Sequence, residues 1–422
     1  MVVISPAYNK DKLPDTKSLL DVYAQVHALT SSGDALAVWT PVFGGIAEAV
    51  AKMCFGNSIG FRYDSDVTLN DIFSYAYGSF VIELADGAKM CGKLLGMTAE
   101  TESITFGNTV LPLSSLYSVY ESKLESVYPT HAYESKVNIP AYTYKAEQRS
   151  ASVLKYSKPR VLIPVFPGTN CEYDSAKAFI RAGAEPEIFV INNLSASGIA
   201  ESVDSFAGRI SDAQMIFIPG GFSGGDEPDG SGKFITAFFR NGKVSDAVNT
   251  LLKQRDGLMC GICNGFQALI KLGLVPFGEI TDTDADCPTL TFNPIGRHQS
   301  RLVRTRVASN KSPWLAQTEP GEIFTVPISH GEGRFLASDA VIQKLAAAGQ
   351  IATQYVDNAG NPTSDILFNP NDSCMAIEGI TSPDGHVFGK MGHSERTGAG
   401  LYKNVDGNYD MKMFESAVKY FR

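Results

Sequence analysis

Three short apolar runs, each ended by a tight turn and followed by a helical period, constrain this chain more than any other feature. They are RVLIPVF (160–166), MIFIPGG (215–221) and GLMCGIC (257–263), with a fourth strand-like run, EIFVINN (187–193), between the first two. Consecutive apolar residues, rather than alternating ones, belong to strands covered on both faces. The intervening segments, SAKAFIRAGA, Ser197 to Ser211, Phe234 to Lys253 and NGFQALIKLG, carry helical periods. Strands and helices in such short βα steps predict an α/β unit with a doubly wound, flavodoxin-like parallel sheet. The more turn-rich C-terminal part is expected to complete the sheet and return a loop to its active edge.

The region before it reads differently. Helical patterns at Leu19–Leu29 and IAEAVAKMC, strand patterns at AVWTPV, IGFRYD and YGSFVIELAD, and a last strand and helix in ITFGNTVLPLSSLYSVYESKLESVYPT suggest a smaller α+β unit over 1–130. Residues 131–158, polar and rich in Tyr, Lys and Ser, read as a linker or wrapping segment before an α/β domain over 159–422. The length of 422 residues suits two or three domains. A net charge of −9 speaks against non-specific nucleic-acid binding, which needs a basic face. Seven cysteines without zinc-finger spacing point to a reduced, cytoplasmic protein with no metal site. The N-terminus lacks the pattern of a signal peptide, and no apolar run reaches the roughly 20 residues of a membrane span.

The run GLMCGICNGFQALIKLG places Cys263 between an apolar strand and a helix, with Gly261 and Gly265 two positions to either side. This is the thiol form of a nucleophile elbow. At a helix N-terminus the dipole and unpaired N–H groups favour a thiolate, which predicts a lowered thiol pKa, and the Asn264 N–H can face an oxyanion. Cys260, inside the strand, reads as core.

A thiol nucleophile needs a base, and the chain has six histidines. His393, in VFGKMGHSERTG, follows a strand and precedes Glu395 by two residues. His330, in VPISHGEGRF, has the same relation to Glu332, and His298 in GRHQSR is a third polar candidate. Residue chemistry by itself does not separate them. His27, His131 and His386 read as structural or solvated. The Pro-Gly-Gly after the second apolar run offers the N–H groups of Gly220, Gly221 and Phe222 as a nest for developing negative charge. The loop that follows lacks a P-loop ending, and Asp226, Glu227 and Asp229 would repel phosphate, so an oxyanion or lid role is expected.

PVFPGTNCEYD, IPGGFSGGDEPDGSGKF, CGICNGFQALIKLGL, FNPIGRHQSR, PISHGEGRF, NPNDSCMAIEGI and GHSER, in this order, resemble the class I (triad) glutamine amidotransferases, and among them the glutaminase domains of phosphoribosylformylglycinamidine synthases. The resemblance runs from about Pro159 to the C-terminus. It implies Cys263, His393 and Glu395 as the triad, the Gly221–Phe222 backbone and Asn264 N–H as the oxyanion site, and Gln267, His330 and Glu332 near a glutamine pocket. The common family loop reads Pro-His-Pro-Glu where this chain has Gly392-His393-Ser394-Glu395, so the stiffness of the loop is expected to differ. The first 130 residues resemble the C-terminal half of an aminoimidazole-ribonucleotide-synthetase-like module, which implies that the chain is the C-terminal piece of a larger enzyme. The implied partners are L-glutamine and a synthetase portion that holds ATP and Mg2+; the glutaminase itself needs no cofactor. Another thiol hydrolase on the same fold, or a non-catalytic scaffold subunit, are the alternatives.

Overall fold

The computed structural model describes residues 1–130, 137–148, 150–222 and 232–422. Its contacts divide into two units, Met1–Thr130 and His131–Arg422.

The first unit contains β1 (Val2–Ile4), α1 (Thr16–Ser32), β2 (Ala35–Trp39), α2 (Gly45–Phe55), β3 (Gly60–Tyr63), α3 (Leu69–Phe73), β4 (Phe80–Leu84), β5 (Lys93–Leu94), β6 (Gly96–Ala99), β7 (Ser103–Phe106), β8 (Thr109–Pro112) and α4 (Leu113–Ser122). Two four-stranded sheets form, in the orders β2-β4-β1-β5 and β6-β3-β7-β8. The segment ITFGNTVLP is a hairpin rather than one strand. Gly107, at φ +56°, supplies the left-handed turn that folds β8 back onto β7. Val50, Phe61, Val81 and Leu95 are fully buried in this unit's core.

The second unit contains β9 (Arg160–Val165), α5 (Glu172–Ala182), β10 (Glu185–Val190), α6 (Ala196–Asp212), β11 (Met215–Ile218), α7 (Lys233–Phe239), α8 (Gly242–Gln254), β12 (Leu258–Ile262), α9 (Asn264–Lys271), α10 (Leu274–Phe277), β13 (Thr289–Phe292), β14 (Gln299–Val307), β15 (Ile323–His330), β16 (Glu332–Leu336), α11 (Asp339–Ala347), β17 (Ile351–Val356), β18 (Ile377–Thr381), β19 (Val387–Lys390) and α12 (Met413–Tyr420). Nine strands form one sheet in the order β10-β9-β11-β12-β19-β18-β17-β14-β15. The five from β10 to β19 run parallel. The other four continue the sheet antiparallel, so the parallel arrangement expected from the apolar runs covers one side of a mixed sheet. Burial follows this division. Every residue of β11 and β12 is buried, whereas β14 alternates between buried and less buried positions from Val303 to Val307.

Chain order reverses direction across the sheet at β9: β10 lies on one side of it and β11 on the other. Right-handed crossovers then place α5 and α6 on opposite faces. α5 packs with α12, and α6 with α8. The stretch expected as one helix over Phe234–Lys253 is two, because Asn241 is extended and its side chain accepts from the Lys243 N–H to start α8. Residues 137–148 and 150–158 wrap this unit. Arg306 donates to the Tyr142 carbonyl at 2.6 Å, Gln354 to the Pro140 carbonyl at 3.0 Å, and the Tyr156 N–H to the Phe421 carbonyl at 2.8 Å. Among the described residues, no helix is long and apolar enough to cross a membrane.

Candidate active site

The segments after β9, β11, β12 and β19 meet at the carboxyl edge of the parallel strands, beside the reversal in strand order, where open α/β sheets gather ligands. β12 delivers Cys263. Its backbone sits at φ +53°, ψ −107°, a conformation that L-residues rarely adopt and that costs about 1–3 kcal/mol. The flanking glycines make this turn possible. A Cβ on Gly261 would lie 2.5 Å from the backbone of Gly265, and one on Gly265 would lie 2.1 Å from the Ile218 carbonyl oxygen. The strand and helix therefore pass closer than any side chain allows.

β19 delivers the base. His393 Nδ1 lies 2.6 Å from Glu395 Oε1, and both residues are buried. A carboxylate accepts only, so Nδ1 carries the proton and Nε2 presents its lone pair. Nε2 is buried, with no hydrogen-bond partner among the described residues. Burial raises the Glu395 carboxyl, but the His393 charge and hydrogen bond outweigh it and hold the group below its ordinary value. A Cβ on Gly220 would lie 2.6 Å from His393 Cε1, 3.4 Å from Cys263 Cβ and 3.4 Å from Cys171 Sγ. Gly220 thus marks the point around which thiol and imidazole converge.

Several expectations change at this level of detail. The Cys263 thiol is pushed up to about 12, not lowered. Complete burial is the main cause, Cys171 and Glu395 add to it, and the Asn264 N–H only partly offsets it. Its Sγ faces the Ser329 carbonyl at 3.7 Å, so the resting group is a thiol that turns toward Nε2 to react. The Phe222 N–H is spent on the Gly168 carbonyl at 2.8 Å and cannot serve an oxyanion. Gly221 remains in the loop at φ +149°, where a Cβ would lie 2.5 Å from the Gly168 oxygen. Asp226, Glu227 and Asp229, like His131, lie outside the described residues.

His330 is buried beside the site. Burial first, then the nearby His393 and His298, push its imidazole down to about 3, and neither ring nitrogen has a hydrogen-bond partner among the described residues. Among the described residues, no carboxylate bonds its ring as Glu395 bonds His393. Gln267 is held inside the protein, accepting from Asn264 at 2.9 Å and donating to the Glu332 carbonyl at 2.9 Å. Together these tie the start of α9 to β16. His298 is exposed and contacts the Ser329 hydroxyl at 3.0 Å. Cys260 is core.

The structure adds Cys171, which follows the turn after β9. Its Sγ lies 3.8 Å from His393 Nδ1, donates to Asn170 Oδ1 at 3.0 Å and accepts from Arg396 Nη2 at 3.0 Å. Only its position could have flagged it in the sequence: a turn after the first strand of a parallel sheet points to the same edge as the elbow. Cys171, His393 and Glu395 bring three ligating atoms within 4.8 Å of one another. The Arg396 guanidinium at the sulfur and the His393 N–H at the carboxylate already occupy these groups.

Residues 158–421 match the family of CobB/CobQ-like glutamine amidotransferase domains. Among curated relatives, the phosphoribosylformylglycinamidine synthase subunit PurQ of Dehalococcoides mccartyi is 35% identical over 276 residues, 63% of this chain and 99% of that protein. The subunit of the same name from Methanococcus maripaludis is 34% identical over 60% of this chain and 87% of its own length. Among solved structures, PurLQS from Thermotoga maritima aligns with TM-score 0.46 and 27% identity, over 63% of this chain and all of that one.

Proposed function

The chain belongs to the CobB/CobQ-like glutamine amidotransferase family, and on that premise we propose that it hydrolyses glutamine through Cys263 as the ammonia-supplying component of a phosphoribosylformylglycinamidine synthase. It is an enzyme that uses glutamine as amido donor. The observation that carries the mechanism is the strained Cys263 at the end of β12, beside an imidazole whose Nδ1 is 2.6 Å from the Glu395 carboxylate.

The reaction is an acyl transfer. His393 Nε2 takes the proton of the Cys263 thiol as sulfur attacks the side-chain amide carbon of glutamine. Coupling the two events suits a thiol pushed up to about 12, since little free thiolate exists at neutral pH. The Asn264 and Gly221 N–H groups stabilise the tetrahedral oxyanion. His393 returns the proton to the amine, ammonia leaves, and a thioester remains. Water, deprotonated by the same nitrogen, releases glutamate. Glu395 keeps the imidazole in the required tautomer and stabilises its charged form.

Ammonia then serves an ATP-dependent amidation of formylglycinamide ribonucleotide on a synthetase partner. The described residues do not fit an ATP–Mg2+ site: their one compact ligand group pairs a thiol and an imidazole with a single carboxylate, whereas Mg2+ takes oxygen ligands. The five-stranded parallel side is read as the flavodoxin-like sheet of a class I amidotransferase. Residues 1–130 are read as the synthetase-like half-module, 131–158 as the segment joining the two, and 159–422 as the amidotransferase domain. Glutamate release from glutamine, with and without an added synthetase fragment, tests the assignment. Release that the fragment stimulates supports it, and a folded protein inert under both conditions refutes it.

A further inference from the structure

His393 sits in Gly392-His393-Ser394-Glu395, and nothing in these four residues stiffens the backbone. Gly392 is the most permissive residue possible directly before the base. Yet Lys390, at the end of β19, and Glu378, on β18, are both wholly buried beneath this loop and lie 3.2 Å apart. Every polar atom of the pair is used. Lys390 Nζ donates to the Gly392 carbonyl at 2.8 Å and to Ser394 Oγ at 3.0 Å, besides facing Glu378. Glu378 Oε1 accepts from the Gly392 N–H at 2.6 Å, and its Oε2 accepts from the Thr353 hydroxyl on β17. The His393 N–H donates to the Pro327 carbonyl of β15 at 2.9 Å. The glycine is complementary to the pair: a Cβ at 392 would lie 3.0 Å from Glu378 Oε1 and 3.1 Å from Lys390 Nζ.

We propose that Lys390 and Glu378 are positioning residues for the His393 base, a buried ion pair that fixes the peptide groups flanking it. This rests on the triad reading above. Two charges removed from water seldom stabilise a protein more than a packed apolar pair would, and they persist where they set one arrangement among several. Here Lys390 spends its hydrogen bonds on the loop that carries the base, and Glu378 accepts one from that loop and one from Thr353. With the loop fixed, the imidazole edge is held against Glu395, and its Cε1 lies against Gly220 beside the elbow.

The test replaces both charges at once with apolar residues of similar volume, Glu378→Leu with Lys390→Met, so that no charge is left buried alone. In the full-length chain we expect cooperative melting, kcat for glutamate release lowered about 10- to 100-fold, and KM for glutamine changed by less than about threefold, because a misplaced base acts on the transition state. The acid limb of the kcat profile should also shift as the His393–Glu395 contact loosens. A folded double variant with wild-type kcat overturns the proposal, as does a fall in kcat that merely tracks the folded fraction. If the double variant does not fold, Ser394→Ala decides. It removes one acceptor of Lys390 and spares the pair, so a loss of about fivefold in kcat at unchanged KM supports the role, and unchanged kcat overturns it. Cys263→Ala, measured alongside, separates the two readings. Glutamate release surviving in Cys263→Ala sinks the triad, whereas an inert Cys263→Ala beside a fully active double variant sinks only the clamp.

Discussion

The loops that bear the nucleophile and the base are held by opposite means. At the elbow the backbone is the constraint: φ +53° at Cys263, and glycines at 261 and 265 pressed against neighbouring main chain. At the base loop the backbone is permissive, and side chains from other strands impose the shape through Lys390, Glu378 and Thr353. The elbow stores strain within five consecutive residues. The base loop depends on desolvated charges from β18 and β19, with a hydroxyl from β17. One device fails through sterics and the other through electrostatics, so mutations should tell them apart.

The largest effect belongs to the nucleophile. Cys263→Gly should abolish glutamate release, by on the order of 10^4-fold or more, yet raise the melting temperature, because glycine accepts the positive φ without strain. A lowered melting temperature would mean that the turn is not strained as described. Next is Glu395→Gln, expected to cost about 100-fold in kcat with a smaller change in KM, since the wrong tautomer becomes available to His393. Gly265→Ala should act on stability first, lowering it by about 1–3 kcal/mol through overpacking against Ile218, with activity lost in proportion to unfolding. That contrasts with the Glu378/Lys390 double variant, where activity falls and the fold stays. Cys171→Ser should leave kcat within about fivefold of wild type, since it touches the Nδ1 edge and not the reacting nitrogen.

pH sharpens the contrast. His330 is held neutral down to about 3, below its ordinary value near 6.5, chiefly by burial. Its unfolded form takes up the proton first, so its contribution is fully present above about pH 6.5 and is lost as pH falls toward 3. Glu395 is also depressed, and stability from its contact with His393 is present above the ordinary carboxylate range and lost as pH falls through the lowered value. Thermal melts from pH 7 to 4 should therefore decline less steeply for His330→Leu than for wild type. Equal slopes would show that this histidine is not buried neutral.

How much of this could be read from the chain follows the same division. The elbow was legible because strand, tight turn and helix lie within one stretch of sequence, and Gly-x-Cys-x-Gly states its own geometry. The choice of His393 over His330 was not legible from residue chemistry. Both precede a glutamate by two positions, and only the fold brings one carboxylate to 2.6 Å. The raised thiol escaped notice because a helix N-terminus is local while complete burial is not. Phe222 failed as an oxyanion donor for a similar reason, since its N–H finds the Gly168 carbonyl across a turn more than fifty residues away. Cys171, Lys390 and Glu378 matter through contacts with other strands, which no window of sequence displays. The four antiparallel strands were foreseen only as β-like completion of the sheet, since alternating burial does not state which neighbour a strand will choose.

The central claim is that Cys263, and not the neighbouring Cys171, forms the covalent intermediate. The most direct measurement incubates the full chain with a glutamine analogue carrying an electrophilic diazoketone and maps the adduct by peptide mass spectrometry, beside glutamate release from glutamine. The account predicts a single adduct on the peptide containing Cys263, loss of glutamate release in step with labelling, and neither in Cys263→Ala. Labelling at Cys171, or glutamate release that persists in Cys263→Ala, would contradict it.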